Sequence, residues 1–218
     1  MKVVNAGQEH DKLRYEFGSF CVDPVERMLL CEGKPVPLMP IEPLSLILNA
    51  NKGYFLYIAQ RSDESITQLK KTLEIDPSFA ATHHRLGLAY SAGGLYQEAI
   101  KHFKEARRFS DGSPQALGAL GYVYGQTGQE AAAHEILRRL TEISKTRYVS
   151  ATMMAEVWTG LREFDEALAW LEKAVHERAG ALRTFSVDPR FDCLRSEPRF
   201  QQVLQNLDSG TEPQKSQP

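Results

Sequence analysis

The side chains best suited to chemistry in this 218-residue chain are six histidines and three cysteines, and their spacing does not assemble a catalytic centre. His83 and His84 are adjacent. Neighbours on a helix project about 100° apart, so the two cannot address one metal from one side. Cys21 and Cys31 are placed to face each other across a short hairpin, where they serve as small apolar residues in a reducing setting. Cys193 follows Asp192, which offers no positive charge to favour a thiolate, although Arg195 is near. No glycine-rich phosphate loop, serine elbow or carboxylate pair set for acid–base work is present. The expectation is a protein that is not an enzyme and carries no cofactor or metal. What remains is recognition by surface side chains, and that depends on the elements that hold them.

The totals describe an ordinary globular chain, with 42% hydrophobic and 25% charged residues. A net charge of −2 supplies no general field for nucleic acid or acidic lipid. The start, MKVVNAGQEHDKLRYEF, has no signal-type apolar core, and no run of apolar residues reaches membrane-spanning length. Three scattered cysteines make no disulfide scaffold. A cytoplasmic location is expected.

Four windows of 34 residues, beginning at Leu46, Ala80, Pro114 and Tyr148, repeat without a gap. The second carries Leu86-Gly87, Tyr90, Gly94, Ala99, Phe103 and Ala106. The third carries Leu120-Gly121, Tyr124, Gly128, Ala133, Leu137 and Leu140 at the same offsets. The fourth carries Met154-Ala155, Trp158, Arg162, Ala167, Leu171 and Ala174. The first is weaker, with Lys52-Gly53, Leu56, Gln60, Ser65, Leu69 and Thr72. Each window predicts two amphipathic helices that must bury their apolar stripes against neighbours. Gly53, Gly87, Gly121 and Ala155, with Ala99, Ala133 and Ala167 on the second helix, allow close approach. Tyr90, Tyr124, Trp158, Phe103 and Leu171 fill the space between. Gly94 and Gly128 suit the turn. Ser113-Pro114 reads as a cap with proline in the first turn.

This pattern resembles the tetratricopeptide repeat. The resemblance implies a mainly α superhelical solenoid over residues 46–181, divided at 46–79, 80–113, 114–147 and 148–181. It further implies a partner-binding groove lined by the first helix of each pair. Carried onto this sequence, the groove contains Tyr54, Tyr57, His84, Leu88, Tyr122, Gln126 and Glu156, and its partner is a protein or peptide. The charged clamp that captures chaperone tails is not spelled out. Residues 182–207, with Asp188-Pro189 and Ser196 to Pro198 as helix starts and Phe191, Leu194, Phe200, Val203, Leu204 and Leu207 as a stripe, read as a terminal cap. Residues 208–218 read as disordered.

Residues 1–12 also read as disordered, and 13–43 as a small antiparallel meander with strands around Tyr15–Val22, Met28–Leu30 and Val36–Leu38. The stretch YEFGSFCVDPVERMLLCEGKPVPLMP resembles the opening sheet of the winged-helix output domain of bacterial transcriptional regulators. Met39–Asn49 would stand for that domain's first helix. The recognition helix and wing have no room before the repeats begin, so DNA is not the expected partner. The alternative to a binding module is a regulator of this kind or its truncated relative.

Overall fold

A computed structural model of the chain describes residues 2–5, 13–17, 20–23, 28–32, 34–35, 41–177 and 185–209. The chain divides into two compact units, Met1–Ser45 and Leu46–Pro218. In the first, strands β1 (Lys2–Asn5), β2 (Leu13–Phe17), β3 (Phe20–Asp23), β4 (Met28–Cys31) and β5 (Lys34–Pro35) pair antiparallel in chain order. Lys2–Asn5 falls where the sequence predicts disorder. Its adjacent valines favour extended backbone, and it pairs with β2 from Lys2 opposite Glu16 to Asn5 opposite Leu13. Cys21 lies opposite Leu30 and Cys31 opposite Phe20. The two cysteines are therefore one step out of register and not cross-strand partners, contrary to expectation. The strand read at Val36 and Leu38 lies outside the described residues.

The chain is mainly helical. Four helix pairs follow: α1 (Ile41–Ile58) with α2 (Ser62–Ile75), α3 (Ala80–Ala92) with α4 (Tyr96–Phe109), α5 (Gln115–Gln126) with α6 (Glu130–Ser144), and α7 (Ala151–Gly160) with α8 (Phe164–His176). A separate helix over Met39–Asn49 does not form. From Ile41 the chain is one helix, and Pro43 is tolerated because first-turn N–H groups have no helical acceptor.

Each pair turns at the same place. Gln60, Gly94, Gly128 and Arg162, spaced by the repeat, all have positive φ, between 59° and 74°. Glycine meets that requirement in the middle pairs, and Gln60 and Arg162 adopt it at a cost of about 1 kcal/mol each. The weak first window keeps its packing by bonding its polar residue to the backbone. Ser65 is fully buried and donates to the Gly53 carbonyl at 2.7 Å. Helix α5 begins without a side-chain cap: Pro114 is its boundary residue, and Ser113 does not fill the role the sequence suggested.

The small residues act as expected within α1 and α3, where a Cβ on Gly53 would strike Leu69 and one on Gly87 would strike Phe103. Gly121 differs. A Cβ there would first meet Val157 of α7, at 2.5 Å, before Ile136 of its paired helix. Gly118 and Gly125 also face α7, so a glycine stripe lets α5 and α7 touch backbone to backbone. Of the remaining packing residues, Tyr90, Ala99, Phe103, Ala133, Ala155, Ala167 and Leu171 are buried, and Tyr124 and Trp158 pack half-buried against the cores.

After α8 come a 3-10 helix (Pro189–Leu194) and α9 (Pro198–Ser209). Phe185, Phe191, Leu194, Phe200 and Val203 are buried and pack with Ala167, Leu168 and Leu171 of α8. They cover the apolar face that a last repeat leaves open. Among the described residues no helix is long and apolar enough to cross a membrane.

Candidate interaction groove

The first helices of the pairs bring Tyr54, Tyr57, His84, Leu88, Tyr122 and Glu156 together, and the chain itself supplies the other side. Asp188 and Arg190, at the entry to the 3-10 helix, lie among these residues. The Tyr57 hydroxyl donates to Asp188 Oδ1 at 2.6 Å across 131 residues of sequence. Arg190 Nη2 donates to Asp188 Oδ2 at 2.7 Å and to Glu156 Oε1 at 3.0 Å, and its guanidinium lies 6.0 Å from the Tyr122 ring centre. Gln60, in the turn after α1, donates to Asp192 at 3.1 Å.

Local sequence explains why this corner forms. Asp188 accepts the backbone N–H of Arg190 at 3.0 Å, so an Asp-Pro helix start fixes its own carboxylate. Asp188, Arg190 and Glu156 are nearly withdrawn from water. Burial pushes the Asp188 carboxyl up, but the Arg190 charge and the bonds from Arg190 and Tyr57 outweigh it and leave it below its ordinary value. For Glu156 burial wins and the carboxyl is raised, because Arg190 is shared and Asp188 adds a second negative charge. Arg190 is raised well above the usual arginine value despite its burial, held by both carboxylates. Tyr57 is raised by burial and by Asp188.

Arg190 lines two cavities. The first, of about 350 Å³, is lined by Tyr57, Gln60, Ser91, Tyr96, Tyr122 and Asp192 among others. The second, of about 240 Å³, is lined by Tyr54, His84, Arg85, Leu88, Gln115 and Glu156 among others. Arg85 donates to Asn51 at 2.7 Å and lies over the Tyr54 ring. His84 is driven down to about 4 by burial and by the charges of Arg190 and Arg85, so it is neutral near physiological pH. Gln126 is half-buried and lines neither cavity.

The groove is therefore partly filled, where sequence alone implied an open one. Asp188, Arg190 and Asp192 were the residues missed. The only sequence signal was the Asp-Pro helix start, and helical periodicity does not say where such a start is aimed. Lifting the segment out would uncover Phe185 and Phe191 and loosen the cap. Five large apolar side chains at about 2 kcal/mol each total on the order of 10 kcal/mol, comparable to the whole stability of a domain. The Asp188–Arg190 corner is a fixed wall of the groove.

The neighbouring histidine, His83, has a structural role. One ring nitrogen donates to the Pro77 carbonyl at 2.9 Å, which leaves the other to accept from His102 at 2.9 Å. Burial and His83 depress His102 to about 4. No group of three or more potential metal ligands occurs among the described residues.

The family model for the tetratricopeptide repeat matches residues 80–106 and 114–147, which are the second and third helix pairs. Over those residues the chain is similar to the tetratricopeptide repeat. A curated relative, the formate-dependent nitrite reductase complex bifunctional subunit NrfFG of Haemophilus influenzae, is 24% identical over 153 residues, 69% of this chain. The chain spans about two fifths of that relative's length, with 40% of it covered. Among solved structures, MamA (AMB-1) is similar at 18% identity and a TM-score of 0.41, over 78% of this chain and 96% of that one. These comparisons give no support to the winged-helix likeness of the front end. The two matched repeats contribute His84, Leu88 and Tyr122 to the groove.

Proposed function

We propose that this chain is a non-catalytic protein-interaction module that binds a segment of a partner protein on the concave side of four tetratricopeptide repeats, with the first repeat at 46–79 and the last at 148–181. The observation that carries this reading is the polar cavity left between the first helices and the Asp188–Arg190 wall. Tyr57, Gln60, Ser91, Tyr96 and Tyr122 line it. Tyrosine offers broad apolar contact with a polar tip, which suits a partner's side chain or backbone turn. A volume of about 350 Å³ accommodates an anchoring side chain or two rather than a long peptide laid along the whole groove.

Affinity capture from lysate, with Ala92→Arg and Tyr122→Ala in parallel, tests the reading. Ala92 is exposed at the cavity rim, so arginine there blocks entry without disturbing the core. Partners retained by the parent protein are expected to be lost by both variants. An unchanged set of partners would show that recognition happens elsewhere.

A further inference from the structure

A cavity of about 690 Å³ lies between α4 and α6 and shares no lining residue with the groove. Its floor comes from Leu117, Leu120 and Ile136 with the half-buried Tyr124 ring. Its rim carries Lys104 and Arg107 of α4 and Arg139 of α6. Arg108 is at the rim too, but it is taken by Glu105 at 2.5 Å. Two carboxylates share the rim, Asp111 and Glu135, and Glu135 is taken by Arg138 at 2.7 Å. The side chains of Lys104, Arg107 and Arg139 make no hydrogen bond or ion pair with any described residue. The Nε of Arg107 is buried with no acceptor. Burial and the charge of Arg139 together disfavour the Arg107 cation. Two like charges are thus held at the edge of an apolar depression with neither side chain bonded to a carboxylate among the described residues, a standing cost that a carboxylate set between them would relieve.

We propose that the α4–α6 cleft is a second binding site, taking an acidic segment of a protein partner that sets a carboxylate between Arg107 and Arg139 and an aliphatic side chain on the Leu117–Ile136 floor. This goes beyond the groove reading and uses none of its residues. The aliphatic floor favours protein over nucleic acid, which needs a continuous track of cations and stacking surfaces. The chain's net charge of −2 confines the attraction to this cleft.

The test is a peptide array in which leucine, isoleucine or phenylalanine is flanked by glutamate or, at the same positions, by glutamine. Fluorescence anisotropy of the best acidic peptide on the full chain then gives affinities. The acidic member of each pair is expected to bind more tightly, and less so as salt is added. Arg107→Gln and Arg139→Gln should each weaken binding about fivefold, on the order of 1 kcal/mol. Arg107→Lys, which keeps the charge, should retain most of it, and the groove variant Ala92→Arg should bind as the parent does. Thermal melts of each variant separate lost binding from lost folding. The proposal is overturned by an array without acid preference, by glutamine variants that melt and bind like the parent, or by an oligothymidylate or an anionic lipid vesicle that binds through Arg107 and Arg139 more tightly than any peptide.

Discussion

Arg190 sits between two carboxylates that respond to burial in opposite ways. Asp188 has three hydrogen-bonding supports and titrates below its ordinary 3.8. Its contribution to stability is complete above 3.8 and is lost as pH falls through the lower folded value. Glu156 titrates above its ordinary 4.5, so its contribution is complete below 4.5 and declines as pH rises through the folded value. The two residues should therefore behave differently when neutralised. Asp188→Asn is expected to cost about 3 kcal/mol at neutral pH, since it keeps one acceptor oxygen but removes the charge that holds Arg190 and turns an NH2 donor toward a neighbouring donor, Tyr57 or Arg190, and the deficit should shrink as pH drops below 3.8. Glu156→Gln keeps an oxygen for Arg190 and removes a buried charge, so its cost should stay under about 1 kcal/mol. Urea denaturation followed by circular dichroism across that pH range distinguishes them. Equal losses at neutral pH would show that the two carboxylates are held alike.

Between elements, the glycines do two separate jobs. Gly94 has φ of +74° and nothing within 4 Å of a built Cβ, so only conformation is at stake. Gly94→Ala should cost about 1 kcal/mol. Gly125 sits in a regular helix, but its Cβ would come within 2.3 Å of the Gly160 backbone. A backbone cannot rotate away as a side chain can, so α7 must shift as a whole. Gly125→Ala should cost about 3 kcal/mol or more, with the melting temperature falling much further than for Gly94→Ala. The reverse order would mean that α5 and α7 are not in backbone contact.

Across the whole molecule, the cap joins parts of the chain that a simple solenoid keeps apart. Repeat arrays are stabilised mainly between nearest neighbours, yet Tyr57 in the first pair bonds to Asp188 after the last. Damage to the cap should therefore be felt at both ends and spare the middle. Phe200 is fully buried among Phe185, Leu171 and their neighbours, and Phe200→Ala should cost about 3–5 kcal/mol. Native-state hydrogen exchange of that variant should quicken in α7, α8 and the last turn of α1 while α3 and α4 keep their protection. A uniform rise would mean that the array opens as a single unit.

The sequence alone determined the helix pairs, because a 34-residue period with small residues at fixed offsets has few other ways to bury its stripes. It located the turns at Gly94 and Gly128 and named most of the core, and the Phe191–Leu207 stripe it singled out packs against α8. Those are local or nearest-neighbour properties, and periodicity encodes them. Tertiary structure alone decided that Gly121 serves the next repeat rather than its own partner helix, since a small residue does not say what approaches it. It also decided that the cap's first turn enters the groove, pairing Asp188 and Arg190 with Tyr57 and Glu156. That contact spans 131 residues and depends on the accumulated curvature of four helix pairs, which the spacing of residues along the chain does not specify.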